Sequence, residues 1–223
     1  MPDAFEPHLD ILPPAQLKLW TELSPARDLG FVLYGGTAVA LHLGHRTSVD
    51  FDFFNASPLD KARISSAFLF MRYARPIQED INSLVLNVGT SEGQVKVSFF
   101  RGLALGRLND PLPTRDGVLL VASLEDLLAT KLKAILDRAE AKDYRDIAAM
   151  LLAGVSLERA LAGFAKMFRS DAALPLKALG FFKDGDLPTL AQSDRDVLCR
   201  ARDGVRDIGQ VELRAGLFPG SNA

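Results

Sequence analysis

Cysteine is nearly absent from this sequence: Cys199 is the single example among 223 residues. A disulfide within the chain is therefore excluded, and a zinc site built on cysteines is implausible. No run approaches the ~20 apolar residues that a membrane-spanning helix needs, and the N-terminal MPDAFEPHLD lacks the basic-then-apolar pattern of a secretory signal. We therefore expect a soluble cytoplasmic protein with no membrane partner.

A strong excess of either charge is also lacking. The formal net charge of −2 excludes a globally basic nucleic-acid binder, although a local basic patch is compatible with it. The length suits one large domain or two small lobes around one cleft. The function must therefore be sought in local motifs.

The stretch FVLYGGTAVALHLGHRTSVDFDFF, residues 31–54, is the most informative part of the chain. An apolar strand, Phe31–Tyr34, stops at Gly35 and Gly36, and a short helix over Thr37–Leu43 follows, with Thr37 as its N-cap. Two glycines allow the backbone to approach a ligand closely. The free N–H groups of a helix N-terminus bind phosphate well. This pattern predicts a phosphate site, although a glycine pair alone is more often an ordinary turn.

Asp50 and Asp52 lie in an extended run that follows, Ser48–Phe54. Side chains two apart on a strand share one face, so the carboxylates project together, roughly 6 to 7 Å apart. Val49, Phe51 and Phe53 point to the other face and can pack on a core. Because adjacent like charges repel, the pair favours a divalent metal such as Mg²⁺, which takes carboxylates together with phosphate oxygens. The alternative is a solvated acidic edge.

The sequence Gly35-Gly36-Thr37 followed by Arg46-x-Ser48-x-Asp50-x-Asp52 resembles the first motif of the AbiEii/AbiGii toxin family of nucleotidyltransferases. This family lies within the DNA polymerase β-like superfamily. KLKAILDRAEAKDYRD, residues 131–146, is similar to the family's downstream helical motif. The likeness covers residues from about 25 to 155.

Lys131 and Arg138 belong to a predicted helix from Leu124 to about Glu140. Both fall within its apolar arc, where a charge needs an anionic partner. A phosphate chain or the Asp50/Asp52 pair would serve, so we expect Lys131 to contact the triphosphate, with Arg138 as second choice. The alternative is that both side chains snorkel at the helix edge.

Asp143 and Asp146 are three residues apart and so are neighbours on the next helix. The resemblance implies that one of them completes the active site. The alternative is surface pairing with Lys142 and Arg145, and periodicity alone does not choose between the two carboxylates.

A hairpin of Ser83–Val88 and Gln94–Phe100 departs from the superfamily pattern. The polymerase β-like fold usually carries a third carboxylate on a strand beside the Asp-x-Asp strand. The corresponding positions here hold Lys96 and Ser98. Three alternatives follow. A helical Asp completes the metal site, one metal ion suffices for the reaction, or the chain is catalytically inactive.

We predict an α+β fold with a small mixed β-sheet nucleotidyltransferase core over residues 1–117 and a mainly helical lobe over 118–223 that completes the cleft. The predicted function is Mg²⁺- or Mn²⁺-dependent transfer of a nucleotidyl group from an NTP to an acceptor, with tRNA or other RNA favoured. The resemblance implies a toxin of a toxin–antitoxin or phage-defence system with a cognate antitoxin. A kinase, a catalytically impaired NTP-binding module and a structural protein with an accidental Asp-x-Asp are the alternatives. The expected site comprises metal ligands Asp50 and Asp52; nucleotide-binding residues Gly35, Gly36, Thr37, Arg46, Ser48, Lys131 and Arg138; and catalytic residues Asp50, Asp52, Lys131, Asp143 and Asp146.

Overall fold

A seven-stranded mixed sheet forms the framework of the first half of the chain in a computed structural model that describes residues 4–101 and 106–216. The strand order is β3-β4-β5-β2-β1-β7-β6. The central strand β2 runs antiparallel to β1 and parallel to β5. The strands are β1 Val32–Tyr34, β2 Asp50–Asn55, β3 Ala74–Asp80, β4 Ser83–Thr90, β5 Gly93–Arg101, β6 Leu112–Pro113 and β7 Leu120–Val121.

The helices fall into two groups. Four short ones accompany the sheet: α1 Pro14–Leu19, α2 Pro25–Asp28, α3 Gly35–Leu43 and α4 Lys61–Ala67. The others follow the sheet in sequence: α5 Leu124–Asp137, α6 Ala141–Leu152, α7 Leu157–Phe168, α8 Ala173–Ala178 and α9 Gln192–Gly204. The predicted α+β class is confirmed.

The chain divides into two compact units. The first contains the sheet and α1–α4, and the second contains α5–α9 together with residues 106–109. The unit changes between Ala122 and Ser123, whereas the sequence suggested residue 117. Strand β7 accordingly belongs with the sheet.

Aromatic side chains fill the core under one face of β2. Phe51 and Phe53 are fully buried, and the Phe53 ring stacks on Phe99 of β5 at 5.4 Å between centroids. Phe31 meets Phe99 edge-on at 5.1 Å. The strict alternation of buried and partly exposed residues along β2 anchors the strand and leaves Asp50 and Asp52 on the accessible face. Val49 was expected to share the buried face, but it precedes the strand and is 58% exposed.

Three local predictions differ from the structure. Thr37 is not an N-cap, because α3 already begins at Gly35 and its N-cap is Tyr34. Helix α5 ends at Asp137 rather than Glu140, since Arg138 has extended backbone dihedrals. Strand β3 was missed because its residues are almost all exposed and polar, so it carries no apolar alternation.

Within the helical unit, the buried carboxylate of Asp126 links residues 106–109 to α5. Asp126 accepts hydrogen bonds from the backbone N–H groups of Leu108 (2.7 Å) and Asn109 (3.1 Å) and from Ser123 Oγ (2.6 Å). Ser123 also caps α5 by accepting from the Asp126 N–H. Burial raises the pKa of Asp126 above its usual value, against the opposing effect of these donors. The two backbone donors thus hold the 106–109 segment on the first turn of α5.

Candidate active site

The carboxylates of Asp50 and Asp52 lie on one face of β2, as the sequence predicted. Asp50 is one-third exposed, and Asp52 is partly exposed. Tyr34 of β1 is the register partner of Asp52, so the strand that leads into the glycine pair lies beside it. The sheet therefore brings the acidic pair and the start of α3 together.

Gly35 is in contact with this acidic pair. Its φ of +77° lies in the region that favours glycine, and a Cβ built there would be 2.7 Å from Asp52 Oδ2. Any larger residue would strain the backbone and displace the carboxylate. The glycine is thus required both by conformation and by the approach of Asp52.

Gly36 faces a guanidinium group. A Cβ at Gly36 would lie 2.5 Å from Arg46 Nη2 and 3.2 Å from Ser48 Oγ. Arg46 also donates to the carbonyl of Thr47, at 2.9 Å. The first turn of α3 and the Arg46 guanidinium therefore offer positive charge at one place, the arrangement that binds phosphate.

Thr37 and Ser48 connect the first turn of α3 to the start of β2. Both side chains are buried, their hydroxyl oxygens are 2.9 Å apart, and Thr37 Oγ1 also donates to the Asp50 carbonyl. These contacts join α3 to the start of β2. The two residues are therefore placed to position Asp50.

Lys96 and Ser98 of β5 stand opposite the two carboxylates. The register pairs Asp50 with Lys96 and Asp52 with Ser98, and Lys96 Nζ lies 2.8 Å from Asp50 Oδ2. Sequence reasoning identified the two positions but not this ion pair. The alternation along β5 puts Lys96 and Ser98 on one face, whereas their register against β2 depends on long-range pairing that no local pattern reveals.

The donor set of this face determines which metal it can hold. Among residues 4–101 and 106–216, no three His, Cys, Asp or Glu side chains are grouped to hold a metal ion. Asp50 and Asp52 alone nevertheless fit Mg²⁺, which is typically bound by one or two carboxylates together with substrate phosphates and water. The face suits an ion shared with a nucleotide rather than one enclosed by protein.

The second unit contains its own charged cluster, built from α5 and α6. Lys131 Nζ lies 2.6 Å from Asp143 Oδ1 and 2.6 Å from Asp146 Oδ2, and both carboxylates are fully buried. Arg138 Nε donates to Asp143 Oδ2 at 2.7 Å and its Nη2 donates to Oδ1 at 3.2 Å. Lys131 and Arg138 thus contact the two buried carboxylates directly, and Arg138 Nε also lies 3.6 Å from Glu140 Oε2.

This cluster answers two questions that the sequence left open. Lys131 is buried, as the helical wheel indicated, but its anionic partners are Asp143 and Asp146 of the same unit. Surface pairing of these two carboxylates with Lys142 and Arg145 is excluded, because neither carboxylate is exposed. Arg138 lies beyond the end of α5 and is 47% exposed, so it closes the cluster at its outer side.

The partners of Asp143 control its protonation. Burial alone would raise the pKa of Asp143, but the hydrogen bonds from Arg138 and the positive charge of Lys131 outweigh it and lower the pKa below the usual value. Asp143 therefore stays ionised at neutral pH. Its role within the cluster is to accept hydrogen bonds.

The histidine beside the glycine motif has a packing role. His42 stacks on Phe5 with 4.1 Å between ring centroids, and its Nε2 lies 2.9 Å from the Ala122 carbonyl oxygen. Burial lowers the pKa of His42 to about 4, partly offset by the Ala122 hydrogen bond. The ring is neutral at physiological pH and joins α3 to the segment that ends the sheet.

Two sequence comparisons relate this chain to known proteins. The model of the AbiEii nucleotidyl transferase toxin family, of type IV toxin–antitoxin systems, matches residues 21–201. An uncharacterized protein of Aquifex aeolicus (strain VF5) is 30% identical over 158 residues, which cover 69% of this chain and 74% of that protein.

Two solved structures resemble the fold. MenT4, a nucleotidyltransferase toxin from Mycobacterium tuberculosis H37Rv, superposes with a TM-score of 0.54 at 18% identity, over 84% of this chain and 80% of MenT4. The antibiotic-resistance factor ANT(2'')-Ia gives a TM-score of 0.50 at 15% identity, over 69% of this chain and 91% of ANT(2'')-Ia. At these identities the likeness concerns the fold. The family match spans both the Asp50/Asp52 motif and the Lys131–Asp146 motif, and the chain belongs to the AbiEii nucleotidyltransferase toxin family.

Proposed function

We propose that this nucleotidyltransferase moves a nucleotidyl group from an NTP to a hydroxyl group of an RNA acceptor, with tRNA favoured, in a reaction that depends on Mg²⁺ or Mn²⁺. The observation that carries the proposal is the position of Asp50 and Asp52 on the accessible face of β2, next to Gly35 at the start of α3. A carboxylate pair beside a helix N-terminus suits a metal-bound triphosphate.

The triphosphate is assigned to Gly36 and Arg46. Backbone N–H groups in the first turn of α3 donate to phosphate oxygens, and the guanidinium adds a charge-assisted contact. Thr37 contacts Ser48 and donates to the Asp50 carbonyl, so the two residues hold the first turn of α3 beside the start of β2. Gly35 leaves the space that Asp52 occupies.

Asp50 and Asp52 would hold the divalent ion. The chemistry that this ion supplies is charge neutralisation on the phosphate oxygens during an in-line displacement. Asp52 is not replaceable by its amide in this scheme, since an amide oxygen carries no charge to balance the cation.

The cluster of the helical unit is assigned to the leaving group and the acceptor. Lys131 is the candidate to stabilise pyrophosphate, and Arg138 is a second candidate for phosphate contact. Asp143 accepts from Arg138 at both oxygens and has a lowered pKa, so it is a weak base. Asp146 is equally close to Lys131, at 2.6 Å, so either carboxylate is proposed as the base on the acceptor hydroxyl or as a further metal ligand.

The family's toxin–antitoxin membership supports a cognate antitoxin as partner. We further propose a role in phage defence. NTPs and tRNA are abundant in the cytoplasm, where we expect the reaction to take place. No helix among the described residues is long and apolar enough to cross a membrane.

Incubation with Mg²⁺, each α-³²P-labelled NTP in turn and total RNA tests the proposal. We expect label in tRNA-sized RNA, dependent on Mg²⁺ and on one preferred base. Asp52→Asn should reduce the labelling at least a hundredfold, whereas Glu92→Gln, an exposed change in the β4–β5 turn, should not affect it. Label in protein would assign a different acceptor. Equal labelling by Asp52→Asn would refute the assigned site.

A further inference from the structure

The side chain opposite Asp50 has a charge that a metal-binding face does not require. Lys96 is its direct register partner on β5, with Nζ 2.8 Å from Asp50 Oδ2. Ser98 is the partner of Asp52 and is almost completely buried. The strand beside the acidic pair therefore contributes one ammonium group and one hydroxyl group, and no carboxylate.

The Lys96–Asp50 ion pair is partly exposed, so it should contribute little to folding stability while still affecting the binding of cations. The Lys96 side chain is 42% exposed and that of Asp50 is 33% exposed. Ion pairs in such contact with water contribute little to stability. The charge of Lys96 still acts on any cation that approaches Asp50, because like charges repel at short range.

We propose that Lys96 is a positioning residue that acts as a fixed cation, so that the face of β2 takes a single divalent ion, together with the nucleotide. This inference rests on the proposed function, which assigns metal binding to Asp50 and Asp52. The ammonium group of Lys96 reduces the negative charge that the two carboxylates present to a cation. Such a face binds a free divalent ion weakly and gains affinity when a triphosphate adds its own negative charges.

Lys96 also constrains the geometry of Asp50. One carboxylate oxygen, Oδ2, is held by the ammonium group, which leaves Oδ1 as the oxygen presented to the metal. A carboxylate held in this way is pre-oriented, so less conformational freedom is lost when the ion binds. Replacing Lys96 by an acid would both release Oδ2 and add a carboxylate at a register position directly beside Asp50.

Mn²⁺ binding measured by electron paramagnetic resonance tests this inference without any turnover. The full-length chain is titrated with Mn²⁺ alone and with an NTP analogue that cannot be cleaved between its α- and β-phosphates. We expect one ion per chain with the analogue. Removing a unit charge about 5 Å from a divalent ion changes affinity roughly tenfold in water-like surroundings at low salt. Lys96→Met should therefore bind Mn²⁺ alone roughly tenfold more tightly.

Lys96→Asp should go further and bind two ions per chain in the presence of the analogue. The matched control is Lys61→Asp, which makes the same charge change in an exposed ion pair with Glu79 (3.1 Å). This control should bind Mn²⁺ as the wild type does. Because the Lys96 side chain is 42% exposed, Lys96→Met should leave the thermal unfolding midpoint nearly unchanged. Lys96→Asp should lower the midpoint in the absence of metal, because it places a like charge beside Asp50, and circular dichroism verifies that each variant is folded.

Two results would overturn the role of Lys96: two ions bound by the wild type with the analogue, or identical Mn²⁺ affinities for the wild type, Lys96→Met and Lys96→Asp. Failure of the proposed function gives a different result. If Asp52→Asn binds Mn²⁺ as tightly as the wild type, the carboxylate pair is not the metal site. If Asp52→Asn weakens binding but the Lys96 variants do not change it, only the inference about Lys96 fails.

Discussion

Replacing Lys131 with methionine should be among the most destabilising single changes in the helical unit. Lys131 Nζ contacts Asp143 and Asp146 at 2.6 Å each, and neither carboxylate is exposed. Its removal takes away a cationic partner at 2.6 Å from each of two fully buried carboxylates. Breaking a buried ion pair by removing one partner costs about 3 to 5 kcal/mol.

Urea denaturation followed by circular dichroism measures this loss. A typical urea dependence is about 1 to 3 kcal/mol per molar. A loss of about 4 kcal/mol should therefore lower the midpoint by roughly 1.3 to 4 M. Adding Asp146→Asn should recover part of the loss, because it removes the charge of one of the two buried carboxylates that Lys131 contacts.

Lys133→Met serves as the control, since Lys133 is more exposed and pairs with exposed Asp137 one turn along the same helix. We expect it to cost under about 0.5 kcal/mol. A Lys131→Met variant as stable as Lys133→Met would refute the interpretation of the cluster. So would a double variant less stable than Lys131→Met itself.

Three further predictions concern single residues. Gly35→Ala should reduce nucleotidyl transfer more than tenfold, because its Cβ would lie 2.7 Å from Asp52 Oδ2. The control Gly154→Ala has a similar φ of +86° and nothing within 4 Å, so it should cost about 1 kcal/mol of stability without loss of activity. Equal transfer activities of the two variants would contradict the assignment of Gly35. His42→Gln should make the free energy of unfolding less sensitive to acid. The pKa of His42 is about 4 in the folded protein and 6.5 in the unfolded chain, so the wild type loses roughly 2 to 3 kcal/mol of unfolding free energy as pH falls from 6.5 to 4. Equal pH profiles of unfolding for the wild type and the variant would contradict this. Ser123→Ala should lower the free energy of unfolding by about 2 kcal/mol in urea denaturation, because Ser123 caps α5 and also donates to buried Asp126. Ser156→Ala, which removes the N-cap of α7, should cost about 1 kcal/mol. Equal costs would show that the contact with Asp126 contributes nothing.

Local sequence patterns predicted much of this structure. The period-two alternation of Asp50, Phe51, Asp52 and Phe53 places the carboxylates on one face and the rings in the core, as the structure has them. Helical periodicity likewise placed Lys131 among buried residues. Both features follow from the geometry of one element and need no knowledge of its neighbours.

Pairing between elements was the part that the sequence left undetermined. The contact of Lys96 with Asp50 depends on the register of β5 against β2, two strands separated by a long stretch of chain. The partners of Lys131 depend on how α6 packs against α5, and the wheel of one helix contains no such information. The polar edge strand β3 was missed because exposure on both faces removes the apolar alternation.

The central claim is that Asp50 and Asp52 support transfer of a nucleotidyl group. The most direct measurement compares the products from γ-³²P- and α-³²P-labelled NTP with the wild type and with Asp52→Asn. The proposed reaction predicts that γ label leaves as pyrophosphate in an amount equal to the α label gained by RNA, and that Asp52→Asn abolishes both. Nucleoside diphosphate together with γ label on the acceptor would instead show phosphoryl transfer. Unchanged release by Asp52→Asn would contradict the account altogether.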